Sequence, residues 1–180
     1  GYKVVPISRE ILSDTATPME VLRILKGVSK HCYMLESVEN QEVWGRYTFL
    51  GYDPKLEITC MNGEMCIRES GSEEGAKEPV AHPGAKIKEI LKEYTSPKVK
   101  DLPSFTGGLV GYFSYDYVKY SEPKLNLDAD DQEGFKDVDL MLFDKVIAFD
   151  NLRQKIYIIA NARTENLEQE YDRCLAEIEE

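Results

Sequence analysis

The sequence lacks the features that mark several large classes of protein. It has no apolar run as long as a membrane span and no N-terminal segment with the pattern of a signal peptide. Basic residues are scarce, since 22 lysines and arginines stand against 33 acidic residues and leave a net charge of −11. Sequence-independent binding to phosphates requires clustered lysine and arginine. We therefore expect neither nucleic acid nor a membrane as a partner.

Residues that hold metals or phosphates are also few. There are two histidines, and the four cysteines at positions 32, 60, 66 and 174 include no Cys-x-x-Cys pair, so a zinc site is not expected. Neither the phosphate-loop signature nor the Gly-x-Gly-x-x-Gly dinucleotide signature occurs. No motif sets a nucleophile beside a base or a metal. We predict no catalytic residue, no metal ligand and no cofactor in this chain.

Two of the cysteines flank a turn at Asn62-Gly63 that is typical of a two-residue β-hairpin. In that register Cys60 pairs with Met65, and Thr59 pairs with Cys66. The two sulfurs then point to opposite faces of the hairpin, which argues against a disulfide. We predict reduced, structural cysteines, as in a protein of the cytoplasm.

Apolar periodicity predicts an α+β fold with antiparallel β-sheets built from hairpins and about three packed helices. Thr17-Pro18-Met19-Glu20 has the form of a capping box at the start of the first helix. Its apolar side comprises Val21, Leu22, Ile24, Leu25 and Val28. Two further helices are predicted from Ile87 to Tyr94 and from Leu167 to Ile178, the last with Thr164 as its cap.

The predicted strands are joined mostly as hairpins. They pair residues 31–38 with 46–50, fold 55–68 back on itself, and join 138–149 to 155–160 around Asp150-Asn151. Residues 107–116 are predicted to form a buried strand whose glycines let another backbone or a ligand come close. Residues 69–83 are predicted to form a mobile surface loop, and residues 121–136 a polar loop.

The length of the chain suits one domain or a piece of a larger protein. The last helical pattern is still running at Glu180, with no glycine, proline or asparagine to stop it. We therefore expect residues 1–180 to form a single domain of a polypeptide that continues beyond Glu180.

The stretch from His31 to Pro54 holds the strongest candidate for a binding site. Its alternating strand pattern is interrupted by Glu36-Ser37, a carboxylate beside a hydroxyl between apolar neighbours. A carboxylate accepts hydrogen bonds from an ammonium group, while a hydroxyl and nearby backbone N–H groups donate to a carboxylate. The pair is therefore a candidate to bind a small amino acid, although such residues in strands usually face water.

Three motifs, in their order and spacing, resemble the N-terminal region of the anthranilate synthase component I family of chorismate-utilising enzymes. They are Met34-Leu35-Glu36-Ser37, Trp44-Gly45-Arg46-Tyr47-Thr48-Phe49-Leu50-Gly51, and the glycine-rich run from Gly107 to Asp116. The resemblance covers nearly the whole chain. Two departures are conservative, because Met34 keeps the volume of the usual leucine and Thr48 keeps the hydroxyl of the usual serine.

The resemblance implies an enzymatic function for a parent protein. Members of this family are lyases of tryptophan biosynthesis, and they are inhibited by tryptophan. They convert chorismate and ammonia, or glutamine through an amidotransferase subunit called component II, into anthranilate and pyruvate with Mg²⁺. Their active site lies in a C-terminal chorismate-binding domain, for which this sequence has no recognisable motif. The chain alone is therefore expected to be non-catalytic.

For the chain itself the resemblance implies a regulatory and structural role with part of the L-tryptophan site. The expected tryptophan-binding residues are Glu36, Ser37, Arg46, Tyr47, Thr48, Gly107 and Gly108. Bracing of the hairpin is the alternative role for the residues at positions 46–48, and close strand packing is the alternative for the two glycines. The expected partners are tryptophan, the protein's own C-terminal domain and component II.

Other functions fit the same residues. The N-terminal region of aminodeoxychorismate synthase component I, an enzyme of folate synthesis, keeps the serine of the pair but tends to vary at Glu36. A free-standing amino-acid-binding module predicts tight binding of tryptophan by residues 1–180, whereas half of a pocket predicts weak or absent binding. An interaction domain predicts an exposed apolar face that docks another subunit.

Overall fold

The computed structural model of the chain describes residues 1–37, 45–122, 124–125 and 132–180. Trp44 of the second motif therefore lies outside the described residues, as do parts of the predicted strand 31–38 and of the predicted loop 121–136. The elements in chain order are β1 (Val4–Leu12), α1 (Pro18–Val28), β2 (Cys32–Leu35), β3 (Tyr47–Tyr52), β4 (Leu56–Met61), β5 (Glu64–Glu69), β6 (Ala76–Pro79), α2 (Pro83–Lys92), β7 (Gly108–Phe113), a 3₁₀ helix (Tyr115–Tyr120), β8 (Val138–Phe143), β9 (Lys145–Asp150), β10 (Lys155–Arg163) and α3 (Leu167–Glu179).

The chain divides into two compact units, and each is assembled from separate segments. Unit 1 comprises Gly1–Pro54, Glu93–Gly108 and Phe143–Glu180, while unit 2 comprises Lys55–Lys92 and Leu109–Leu142. Each unit contains one five-stranded sheet and at least one helix. The predicted α+β fold with antiparallel sheets and three α-helices is confirmed.

Unit 1 is built on sheet A, whose strand order is β1-β10-β9-β3-β2, so β1 and β2 form its edges. Helix α1 packs Leu25 against Leu50 and Phe149, and helix α3 packs Cys174 and Ile178 against the alanines of β10. The predicted capping box is present, because Thr17 accepts a hydrogen bond from the backbone N–H of Glu20, whose side chain accepts one in return.

Unit 2 is built on sheet B, whose strand order is β6-β5-β4-β8-β7. The core on one face of this sheet consists of Ile58, Cys60, Met65, Val138 and Leu140, with Ile87 from α2 packed on it. The predicted register of the β4–β5 hairpin is confirmed, since Cys60 pairs with Met65 and Thr59 with Cys66. The turn residues Asn62 and Gly63 have φ angles of 50° and 80°, and all four cysteines are free.

The predicted strand 138–149 is wrong in one respect, because the structure divides it at Asp144. β8 belongs to sheet B, whereas β9 belongs to sheet A. The carbonyl oxygen of Asp144 accepts hydrogen bonds from the backbone N–H of Asn161 at 3.0 Å and from its side-chain amide at 2.8 Å. Asp144 is therefore fixed to β10, and the β9–β10 part of the predicted hairpin is confirmed.

Two other strand predictions also need correction. The strand 107–116 is not buried, because β7 lies at the edge of sheet B and Gly111–Phe113 are exposed. The predicted loop 69–83 contains β6, which pairs with β5 and satisfies backbone groups that would otherwise form an open edge. Strand β1 was not predicted, and it pairs with β10 along its whole length.

Two helix details also differ from the predictions. Thr164 does not cap α3; its hydroxyl donates to the carbonyl oxygen of Tyr2 at 3.1 Å, and Asn166 occupies the cap position. Ile24 and Val28 do not join the buried side of α1 but are 66% and 71% exposed. None of the helices in the described ranges has the length and apolar character that crossing a bilayer requires.

Candidate functional site

Glu36 and Ser37 lie directly after β2, at an edge of sheet A, and both are exposed. Leu35, the last residue of β2, pairs with Phe49 of β3. The chain therefore leaves β2 in the direction of the residues that begin β3. Glu36 and Ser37 thus place a carboxylate and a hydroxyl at the end of a strand that pairs with β3.

Arg46 binds Asp150, the last residue of β9, with two hydrogen bonds. Its Nε donates to Oδ1 at 3.0 Å and its Nη2 donates to Oδ2 at 2.5 Å. The Asp150 side chain is fully buried and also accepts from the backbone N–H groups of Leu152 and Arg153. Burial alone raises the pKa of Asp150, but these hydrogen bonds outweigh it and hold the pKa below its usual value.

Thr48 also contacts the turn that joins β9 to β10. Its side chain is completely buried, and its Oγ1 accepts a hydrogen bond from the side-chain amide of Asn151 at 3.3 Å. The backbone N–H of Asn151 donates to the carbonyl oxygen of Arg46 at 2.8 Å. The hydroxyl of Thr48 therefore has an internal partner, as the guanidinium of Arg46 does.

The rings of Tyr47, Phe49 and Phe105 form a row of aromatic contacts in unit 1. The rings of Tyr47 and Phe49 lie 5.7 Å apart, and that of Phe105 meets Phe49 edge-on at 5.6 Å. The guanidinium carbon of Arg46 lies 4.8 Å from the centre of the Tyr47 ring. Burial, together with the nearby charge of Asp150, raises the pKa of the Tyr47 phenol. Tyr47 is thus half-buried between a cation and an apolar row.

Gly107 and Gly108 follow Phe105 and Thr106 at the end of this row. A Cβ atom on Gly107 would lie 2.8 Å from the amide nitrogen of Asn161 and 3.0 Å from the carbonyl oxygen of Phe143. That amide nitrogen donates to the carbonyl oxygen of Thr106 at 2.7 Å. Gly107 is therefore explained by close packing on sheet A, and Gly108 lies against the Phe105 ring.

The structure thus brings Arg46, Tyr47 and Thr48 together at the Asp150-Asn151 turn, with Gly107 and Gly108 next to the aromatic row. The exposed Glu36-Ser37 pair follows β2, which pairs with β3. Asp150 and Asn151 join the first three residues through their contacts with Arg46 and Thr48, although their local pattern predicts only a turn. An aspartate and an asparagine after a strand are typical of a turn. No local sequence pattern shows that the carboxylate of such an aspartate is buried and paired with a distant arginine. Within the described ranges, no group of three or more His, Cys, Asp or Glu side chains could hold a metal ion.

Known proteins with similar sequences lead to one family. The sequence profile described as chorismate binding enzyme matches residues 30–180. The chain belongs to the chorismate binding enzyme family. Within it, anthranilate synthase component 1 of Acinetobacter calcoaceticus is 37% identical over 178 residues, and that of Pseudomonas aeruginosa is 38% identical over 181 residues.

These alignments cover 97% and 100% of this chain but 35% and 36% of the two relatives. The chain therefore spans about a third of the length of the curated family members that it matches. The crystal structure of anthranilate synthase component I from Streptococcus pneumoniae has a TM-score of 0.54 and 24% identity, and covers 94% of this chain and 36% of that one. That similarity extends the family relationship to the fold.

Proposed function

We propose that this chain is the N-terminal, tryptophan-binding region of a cytoplasmic anthranilate synthase component I. In this proposal the parent enzyme is a lyase that converts chorismate and ammonia, or glutamine through component II, into anthranilate and pyruvate. Catalysis and its Mg²⁺ ion are assigned to residues outside this chain. The chain binds L-tryptophan and biases the parent enzyme toward an inactive state.

The observation that carries the proposal is the exposed Glu36-Ser37 pair at the edge of sheet A, in a chain whose relatives are anthranilate synthase components. The carboxylate of Glu36 would accept hydrogen bonds from the ammonium group of an amino acid, and the Ser37 hydroxyl would donate to its carboxylate. Tyr47 supports the assignment because its ring, fixed beside Arg46 and Phe49, offers an aromatic surface to an indole.

The proposal assigns supporting roles, without contact to the ligand, to three of the predicted residues: Arg46, Thr48 and Gly107. The side chains of Arg46 and Thr48 have partners within unit 1, which favours bracing of the site over direct contact with the ligand. Gly107 is packed against Asn161, so its lack of a side chain has a structural explanation. The proposed direct ligand groups are those of Glu36 and Ser37, chosen for their exposure and their chemistry, and the ring of Tyr47.

Ser37→Ala in the full-length polypeptide is expected to raise the tryptophan concentration for half-inhibition by about tenfold or more. The physical reason is the loss of a hydrogen bond to a charged group, which contributes about 1.5–3 kcal/mol. Chorismate turnover would be followed by anthranilate fluorescence at several tryptophan concentrations.

Ser8→Ala is the matched control, because Ser8 is an exposed serine on β1, the opposite edge strand of the same sheet. It is expected to leave the inhibition curve where it is in the wild-type protein. Inhibition of the Ser37→Ala enzyme at wild-type tryptophan concentrations would contradict the assignment of Ser37.

The assignment of catalysis to residues outside this chain gives a separate prediction. Residues 1–180 alone are expected to produce no anthranilate from chorismate and ammonia, because the proposal assigns the reaction to the remainder of the polypeptide. Turnover by residues 1–180 would refute that assignment. In the full-length protein, anthranilate as the product supports the proposal, whereas aminodeoxychorismate would support the folate-pathway alternative.

A further inference from the structure

The Asp150-Asn151 turn fixes three consecutive residues at the start of β3. The carboxylate of Asp150 holds the guanidinium of Arg46, and the register of the sheet pairs Asp150 with Tyr47. Asn151 bonds the carbonyl oxygen of Arg46 through its backbone and the hydroxyl of Thr48 through its side chain. One turn therefore determines where this segment of the candidate site lies.

The strength of this attachment follows from its burial. Asp150 is 1% exposed and accepts four hydrogen bonds, two from Arg46 and two from backbone N–H groups of its own turn. A bidentate pair with a buried carboxylate restricts both the position and the plane of the guanidinium. The Tyr47 ring lies under that guanidinium, so the restriction extends to the ring.

We propose that Asp150 and Asn151 are positioning residues of the effector site: they hold Arg46 and Thr48, and through them the Tyr47 ring, in the arrangement that presents this ring to tryptophan. The inference rests on the proposed function. In it, the Asp150-Asn151 turn does not itself contact the ligand. A site whose groups are already in place loses less conformational entropy on binding, so loosening the turn weakens the response to the effector.

The test uses the full-length polypeptide and three variants. Asp150→Asn keeps the shape of the side chain and removes its charge, and Asn151→Ala removes the amide that bonds Thr48. Thr48→Val removes the hydroxyl at the other end of that bond while preserving the side-chain shape. For each variant, the half-inhibitory tryptophan concentration and the KM for chorismate are measured, along with the melting temperature.

Asp150→Asn is expected to raise the half-inhibitory tryptophan concentration about tenfold more than it changes KM, within the range of typical coupling between sites. Asn151→Ala and Thr48→Val are each expected to raise the half-inhibitory tryptophan concentration by a smaller factor, similar for the two variants. Combining these two is expected to add little, because they break the same hydrogen bond. Residues that serve stability alone would not separate the effector response from KM in this way.

Glu170→Gln is the matched control. Arg173 of α3 binds Glu170 with the same bidentate geometry, Nε to Oε1 at 3.1 Å and Nη2 to Oε2 at 2.7 Å, in the same unit. Its loss is expected to lower the melting temperature and to leave both the inhibition curve and KM unchanged. A shift of the inhibition curve by Glu170→Gln as large as that by Asp150→Asn would overturn the inference, because it would reveal a general effect of lost stability.

The outcomes separate the inference from the function on which it rests. A wild-type enzyme that neither binds tryptophan nor is inhibited by it would refute the proposed function. Suppose instead that tryptophan inhibits the wild-type enzyme and that Ser37→Ala weakens this inhibition, as proposed. If neither Asp150→Asn nor Asn151→Ala then weakens it, the positioning role alone is overturned. If Asp150→Asn does not fold, Asn151→Ala and Thr48→Val decide, because both keep the buried ion pair.

Discussion

Gly111→Ala is expected to destabilise unit 2 by about 4 kcal/mol or more, the largest effect of any single methyl group that we predict for this chain. A Cβ atom on Gly111 would collide with the carbonyl oxygen of Asp139 and would lie 2.9 Å from the Cα atom of Leu140. Both obstacles are backbone atoms of β8, so no side-chain rotation relieves the clash. The φ angle of 152° adds strain for any residue that carries a side chain.

The measurement is urea unfolding of the Gly111→Ala and wild-type chains, with Gly71→Ala as the control. Gly71 also has a positive φ angle, of 81°, but no atom outside its neighbours lies within 4 Å of the position that a Cβ atom would take there. We expect Gly71→Ala to cost about 1–2 kcal/mol, through backbone strain alone. Equal losses in the two variants would contradict the explanation by steric contact with β8.

Asp137→Ala is expected to lower the free energy of unfolding by about 3 kcal/mol, because it removes a buried carboxylate that accepts two hydrogen bonds and an ion pair. Asp137 is 3% exposed; its Oδ2 accepts from the Tyr120 hydroxyl and the Asn62 backbone N–H, each at 2.7 Å. Its Oδ1 lies 2.7 Å from the ammonium of Lys119. One carboxylate thus attaches the 3₁₀ helix to the β4–β5 turn, and its removal leaves the Asn62 N–H and the Tyr120 hydroxyl without this acceptor.

The same carboxylate predicts a dependence of stability on pH. Burial alone raises the pKa of Asp137, but the hydrogen bonds from Lys119, Tyr120 and Asn62 outweigh it, and the folded-state pKa is lowered. A lowered folded-state pKa stabilises the protein above the unfolded-state pKa of about 3.9, and that contribution is lost as the pH falls through the folded-state value. The stability difference between wild type and Asp137→Asn should therefore be constant near neutrality and shrink below about pH 4.

Asp139→Asn is the control for both measurements. Asp139 lies two residues further along and pairs with Lys136 at 2.9 Å, but both side chains are partly exposed. Such a pair contributes about 0–1 kcal/mol, so this variant should unfold close to the wild-type urea concentration. A loss from Asp137→Ala no larger than that from Asp139→Asn would contradict the role assigned to the Asp137 network.

The parts of the fold that could be predicted depend on local signals. The β4–β5 hairpin was predicted to the residue because its Asn62-Gly63 turn and the alternation on either side lie within a few positions of one another. The start of α1 was predicted for the same reason, since Thr17 and Glu20 are one helical turn apart. In both cases the interaction that fixes the structure is contained in the pattern.

The errors arose where the deciding partner is distant in the sequence. Nothing near Asp144 indicates that Asn161 will hold its carbonyl oxygen and divide the apolar run 138–149 between two sheets. Likewise, Arg46 and Asp150 are 104 positions apart, so the sequence alone suggested ligand contact for one and a turn for the other. The candidate pair Glu36-Ser37 is visible in the sequence because its two groups are adjacent, whereas the contacts of Asp150 and Asn151 with residues 46 and 48 are not.

The pairing of β1 with β10 has a consequence for biosynthesis of the protein. Val4 lies across the sheet from Arg163, so this edge of sheet A cannot close until nearly all of the 180 residues have emerged from the ribosome. At a translation rate of about 5–20 residues per second, synthesis of β10 follows that of β1 by about ten seconds or more, so β1 lacks its partner strand for that time. Among the described strands of sheet A, β1 therefore waits longest for its pairing partner during synthesis.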